Sequence, residues 1–297
     1  MRILITGCNG LLGQKLVELA PVRHEVFGLD LADQGLVMDG SSYYSGSIVD
    51  RKPLLRIAQE TRPDWILNAA AYTDVDGAES EKELCWKVNV SGVENIAYVT
   101  RKCQAKVVHI STDYIFDGKD GPYDEEAVPN PLGFYGRSKL AGENVLKMSP
   151  VPYTIARTMV LYGTGKNLRP NFVSWLIEQL RDGNRANVVN DQFGNTTLVD
   201  ELAAGIWSIV RKRKLGVFHI AGSGIVDRFT FAEKIAHVFD LDASLITPIS
   251  TKDLSQAAPR PMISGLKVDK AVKELGLKLS NVEEGLFKLK MQMTPKN

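Results

Sequence analysis

The chain has 297 residues, 44% of them hydrophobic and 24% charged, with a formal net charge of +1. That length and composition suit one large α/β unit or two interlocked domains, and the near-neutral balance does not point to nucleic acid or an anionic membrane as a partner. No apolar run approaches the ~20 residues that span a bilayer, and three scattered cysteines (Cys8, Cys85, Cys103) fit a reducing cytoplasm rather than a disulfide framework.

In chain order, apolar runs predict strands over 2–6, 25–29, 65–68, 106–111 and 153–158. Helical periodicity fills the gaps at 11–19, 52–60, 80–102 with a break, and 135–147. Continuously apolar strands joined by helices imply a parallel sheet covered on both faces. The expected fold is therefore α/β, a Rossmann-like doubly wound parallel sheet. Beyond about residue 161 the pattern loosens. Helices are expected over 171–181, 199–213, 231–239 and 268–275 and near the C-terminus, with short strands over 186–189 and 217–220. This divides the chain into a dinucleotide-binding domain over 1–160, with segments returning near 190–215, and a mainly substrate-binding domain over 161–297. The first strand starts at once, so no signal peptide is expected. Four histidines (His24, His109, His219, His237) lack ligand spacing, so no metal site is expected.

Gly7, Gly10 and Gly13 follow the first strand and open a helix. Glycine lets the backbone turn tightly and approach a pyrophosphate, and the helix N-terminus favours negative charge. Asp30, at the end of the second strand, suits ribose hydroxyls and leans toward NADH over NADPH, unless Arg23 or Lys52 folds back to offset it. Ser47 and Ile48 are candidates for the adenine. Ala69, Ala70 and Ala71 follow a third strand and leave room for the cofactor. Cys8, beside the loop, reads as a small buried residue, and His109 as a core histidine.

Tyr135 and Lys139, at i and i+4, share one helix face. An ammonium near the phenol is expected to lower its pKa, so that Tyr135 gives a proton to a carbonyl oxygen as hydride arrives. Thr112, at the end of a strand, is expected to hydrogen-bond the same oxygen.

These motifs resemble those of the extended short-chain dehydrogenase/reductases, and within them the dTDP-4-dehydrorhamnose reductase family. The resemblance runs through Asn68-Ala69-Ala70-Ala71-Tyr72-Thr73-Asp74-Val75-Asp76, Val88-Asn89-Val90, and Ser111-Thr112-Asp113-Tyr114-Ile115-Phe116-Asp117-Gly118. It continues in Pro131-Leu132-Gly133-Phe134-Tyr135-Gly136-Arg137-Ser138-Lys139, Asn190-Asp191-Gln192-Phe193-Gly194 and Arg260-Pro261. It implies an NADPH- or NADH-dependent reduction of dTDP-4-dehydro-L-rhamnose, with Thr112, Tyr135 and Lys139 catalytic. It also implies that Gly7, Gly10, Leu11, Leu12, Asp30, Ala69, Ala70, Lys139 and Arg157 lie by the cofactor. Thr73, Val75, Asp113, Tyr114, Asn171, Gln192 and Arg260 would meet the nucleotide sugar. Tyr114 stands where related 4,6-dehydratases resemble Thr-Asp-Glu, which favours reduction over elimination. Val160 stands where the family often has a tryptophan against the sugar, and Lys15 where some members carry a glutamate of a Mg²⁺ site at a dimer interface. The chain is thus expected to act as a monomer or homodimer. A reductase or epimerase of another ketosugar stays open, as does a regulatory subunit resembling the methionine adenosyltransferase β subunit.

Overall fold

The computed structural model describes residues 1–38, 40 and 42–294. Six strands of the first half are β1 (Arg2–Thr6), β2 (Glu25–Asp30), β3 (Tyr43–Ser45), β4 (Trp65–Asn68), β5 (Lys106–Thr112) and β6 (Tyr153–Thr158). With Gly216–His219 they form one sheet, in the order Gly216–His219, β6, β5, β4, β1, β2, β3. Every pairing is parallel. The chain order reverses between β1 and β4, and that switch point opens a crevice at the C-terminal strand ends.

The strands are apolar throughout because both faces are buried. Ile3 and Ile5 point into one core with Leu16, Leu202, Ile206 and Trp207, while Leu4 points into the other with Ile57, Val93, Ile96 and Ile155. Helix Val199–Lys212 comes from the second half but lies against helix Leu11–Glu18, where Trp207 Nε1 donates to Leu16 O at 3.1 Å. Each large aliphatic side chain it buries contributes about 1.5–3 kcal/mol.

A separate core gathers Tyr162, Val173, Leu176, Phe231, Ile235 and Leu286. Small sheets border it: Ala186–Val189 pairs with Ile246–Ile249, and Phe193–Asn195 with Ile225–Asp227. Those last three short strands and the edge strand β3 carry too few apolar residues to be predicted. The expected broken helix over 80–102 is Gly77–Ser80, Lys82–Trp86 and Gly92–Lys102, with one widened π turn at Lys87–Ser91. That turn carries Asn89 inward, 1% exposed. π turns of this kind occur preferentially at functional sites.

Candidate active site

The glycine loop forms a cradle that side chains would fill. Gly7 has φ +71°, and a Cβ there would lie 2.7 Å from Ala70 N. A Cβ on Gly13 would overlap Gly7 O and Cys8 Cα. The helix that follows begins without a side-chain cap or an acidic residue in its first turn. Its free N–H groups and positive dipole end suit a diphosphate. Asp30 accepts from Asn9 N at 2.9 Å and from Leu31 N at 2.7 Å, which fixes its carboxylate beside the loop. Gln14, fully buried, binds Asn9 O and Lys166 O, and so straps the 163–168 segment onto the loop. Lys166 Nζ donates to Leu36 O at 3.2 Å and brings an ammonium to the segment following Asp30.

Several expected cofactor residues fill other places. Leu12 and Ile48 are 7% and 4% exposed and belong to the two sheet cores, so neither side chain presents a surface. Leu11 is half-buried beside the first core. Ser47 Oγ accepts from Val49 N. Ala69, Ala70 and Ala71 remain half-buried at the end of β4, and Ala69 N donates to Thr6 O. Arg157 lies within the catalytic helix's packing rather than on a surface. It is 2% exposed and makes a two-pronged pair with Glu143, Nε to Oε1 at 2.9 Å and Nη2 to Oε2 at 2.8 Å. It braces the helix of Tyr135 and Lys139 against β6, because a guanidinium buried in a strand requires a carboxylate partner. Cys8 is 1% exposed, and burial pushes its thiol up to about 12, so it is an inert core residue.

Thr112, Tyr135 and Lys139 meet at the C-terminal end of β5. Helix Phe134–Met148 places Tyr135 and Lys139 on its buried face, at 8% and 2% exposed. The Thr112 hydroxyl neighbours the Tyr135 phenol and donates to Asp113 Oδ1 at 3.0 Å. Burial, then the Asp113 carboxylate, hold that phenol above its ordinary pKa. The expected lowering by Lys139 is therefore corrected. Lys139 Nζ reaches back to Ile110 O at 2.6 Å, and burial lowers its own pKa to about 8. A raised phenol stays protonated, as a proton donor requires. Asn89 was not foreseen. Its amide bonds Tyr72 N, Tyr72 O and Ser138 Oγ, joining the loop after β4 to the catalytic helix. Its position in Val88-Asn89-Val90 was the only signal.

Beyond Tyr135 a narrow cleft is lined by Asp113, Tyr114, Val160, Gln192, Arg228 and Arg260, among others. Tyr114 stands edge-on to Tyr135 with ring centroids 5.5 Å apart, and Arg260 lies 6.0 Å from the Tyr114 ring. Arg260 also pairs with Asp76 at 2.6 Å, and Gln192 is held by Thr251 and Gln256. Asp113 is 3% exposed, and burial raises its carboxyl to about 6. Arg228, absent from the sequence reading, faces Asp113, Tyr114 and Arg260, and no ion pair to it occurs among the described residues. Val160 has φ +43°, a strained conformation for a β-branched residue in a cleft wall. Thr73 is exposed, and Val75 packs beside Tyr135 and Ala78. Asn171 caps helix Phe172–Arg181 and donates to Gly163 O at 2.9 Å. Lys15 pairs with Glu18 at 2.8 Å. Among the described residues, no cluster of three His, Cys, Asp or Glu side chains is arranged to hold a metal, and no helix is long and apolar enough to cross a membrane.

A family model described as the RmlD substrate binding domain matches residues 1–294. The dTDP-4-dehydrorhamnose reductase of Aggregatibacter actinomycetemcomitans is 32% identical, over 96% of this chain and 97% of that protein. A dTDP-4-keto-6-deoxy-D-glucose reductase of Streptomyces niveus is 35% identical, over 93% and 91%. The crystal structure of dTDP-4-dehydrorhamnose reductase from Bacillus anthracis, in complex with NADP, superposes with a TM-score of 0.88. It is 33% identical and covers 98% of this chain and 99% of that one.

Proposed function

Because the chain belongs to the RmlD substrate binding domain family, we propose that it reduces the 4-keto group of dTDP-4-dehydro-L-rhamnose to give dTDP-L-rhamnose. The observation that carries this reading is the meeting of Thr112, Tyr135 and Lys139 beside a glycine cradle and above a cleft with two arginines. A reduced nicotinamide, held along Gly7, Gly10, Gly13 and Asp30, supplies the hydride when bound. NADPH is the favoured form, because the Bacillus anthracis relative is in complex with NADP.

Tyr135 gives its phenolic proton to the sugar oxygen as that oxygen gains charge. Thr112 holds the same oxygen in place. Lys139, anchored on Ile110 O, supplies positive charge behind the phenol. Arg228 and Arg260 take the diphosphate, a role suited to planar multi-donor cations. Gln192 and Tyr114 flank the sugar end. We place the reaction in the cytoplasm, with the chain acting as a monomer or homodimer, and take residues from about 161 onward as the main substrate-holding part.

The test is loss of reduced-nicotinamide absorbance with dTDP-4-dehydro-L-rhamnose, using NADPH and NADH separately. Tyr135→Phe is expected to lower kcat on the order of 100-fold or more. Near-normal turnover of Tyr135→Phe overturns the mechanism. A second reading, reduction of another nucleotide-linked ketosugar, is favoured by Val160 in the cleft wall and by the Streptomyces niveus relative. The same assay with dTDP-4-keto-6-deoxy-D-glucose distinguishes the two.

A further inference from the structure

The Arg260 side chain is only 8% exposed, and a second guanidinium, Arg228, lines the same cleft. Two like charges in one narrow space repel, and an arginine that is not held turns out to water. One carboxylate holds Arg260. Asp76 Oδ2 accepts from Arg260 Nη2 at 2.6 Å, and Asp76 Oδ1 accepts from Ala258 N at 2.9 Å. Arg260 Nη1 then donates to Ala258 O at 2.9 Å. The three bonds close a ring of side chain and backbone that leaves the guanidinium one orientation. A guanidinium has five N–H donors. Two are engaged in this ring, so the others stay free for a ligand in the cleft.

Asp76 reaches Arg260 from the other half of the chain. It lies in the loop after β4, just before the short helix Gly77–Ser80. The loop over 250–262 belongs to the second half, where Asp191 fixes Thr251 and Gln192 fixes Gln256. Asp76 pins that loop further along, at Ala258 and Arg260. The same turn holds the start of the catalytic helix, where Phe134 N donates to Glu79 Oε1 at 2.7 Å. A Cβ on Gly133 would lie 2.9 Å from Glu79 Oε1 and 3.5 Å from Pro259 Cδ, so turn, loop and helix start are in close packing. We propose that Asp76 is a positioning residue for substrate binding: it holds Arg260 in the cleft wall beside Arg228, set for the diphosphate, and so joins the two halves of the chain at the cleft. This rests on the reductase reading above.

The Asp76 charge also repels an incoming diphosphate. Its side chain is 42% exposed, so water and salt screen that repulsion at the distance of a ligand beyond Arg260. Its hold on Arg260 acts at contact. Ordering so long a side chain during binding corresponds to a loss of up to about tenfold in affinity. The hold therefore outweighs the repulsion, and losing Asp76 weakens binding.

The test compares wild type, Asp76→Asn, Arg260→Met and the double variant. Asp76→Asn keeps an oxygen for Ala258 N and loses the charge that Arg260 needs. Calorimetry titrates each protein with dTDP, which carries the diphosphate without the sugar. Asp76→Asn is expected to bind dTDP about tenfold more weakly. The double variant is expected to stay within about twofold of Arg260→Met, because Asp76 acts through Arg260. In turnover, KM for the nucleotide sugar rises about tenfold in Asp76→Asn while kcat stays within about threefold. Hydrogen exchange in the unloaded protein speeds up over 256–262 and is unchanged in helix Phe134–Met148, which separates loss of the hold on Arg260 from general loosening. Unchanged or tighter dTDP binding in Asp76→Asn, a fully additive loss in the double variant, a fall in kcat with KM unmoved, or faster exchange throughout the catalytic helix overturns the proposal. If wild type reduces no ketosugar, the reductase reading fails, and the dTDP titrations and the exchange still decide the role of Asp76. Wild type that binds no dTDP overturns that role as well.

Discussion

Replacing Arg157 with methionine tests the most heavily buried ion pair beneath the site. The Arg157 and Glu143 side chains are 2% and 0% exposed, and two parallel contacts at 2.8 and 2.9 Å join them. Removing one partner of such a pair costs about 3–5 kcal/mol, because the remaining charge stays buried. Lys147, 3.1 Å from Glu143 and 33% exposed, survives and offsets part of the loss. The expected cost is therefore about 3 kcal/mol, or roughly 6 °C in Tm for a chain of this size. The pH dependence gives the sharper signature. Arg157 is the main cause holding Glu143 down, at about 2. In wild type the folded value lies below the unfolded one, so this stability is present above pH ~4.3 and is lost as pH falls toward 2. Without Arg157, burial drives the Glu143 value upward instead, and the variant is worst at neutral pH. Its deficit shrinks as pH falls toward 4. His219 acts in the same direction, since burial and then Arg157 depress it to about 3. Urea unfolding at pH 7 and pH 4 reads both effects, and Glu143→Leu added to Arg157→Met recovers most of the loss. A deficit under about 1 kcal/mol at pH 7, or one unchanged at pH 4, refutes the reasoning.

Glu143→Gln removes the charge that supports the Lys139 ammonium, so Lys139 drops below about 8 and the basic limb of kcat moves to lower pH; an unmoved limb counts against the coupling. Gly13→Ala drives a methyl into Gly7 O and distorts the cradle. It should weaken NADPH binding by tenfold or more and cost about 1–3 kcal/mol, read by cofactor fluorescence and by melting. Arg228→Met should raise KM for the nucleotide sugar by about tenfold while leaving Tm unchanged or higher, because the wild-type guanidinium is desolvated with no ion-pair partner among the described residues. A drop in Tm with KM unmoved makes Arg228 structural.

The parts legible in the sequence follow from local rules. Strands buried on both faces must be apolar along their length, so β1, β4 and β6 were readable to the residue. The glycine loop was readable because its residue types are dictated by backbone approach. Arg228 was not, since it meets Asp113 only in the cleft they both line, more than a hundred residues later in the chain. Arg157 carried a further signal, since an arginine inside an apolar strand implies a buried carboxylate partner, here Glu143. The same reasoning explains Tyr135 and Lys139. Spacing i, i+4 puts two side chains on one face, but each then satisfies its strongest nearby demand. The carbonyl of Ile110 accepts from the ammonium. The phenol is left beside Thr112, whose hydroxyl donates to Asp113. Helical spacing thus predicts neighbours, and the accounting of buried donors and acceptors decides which neighbours become partners.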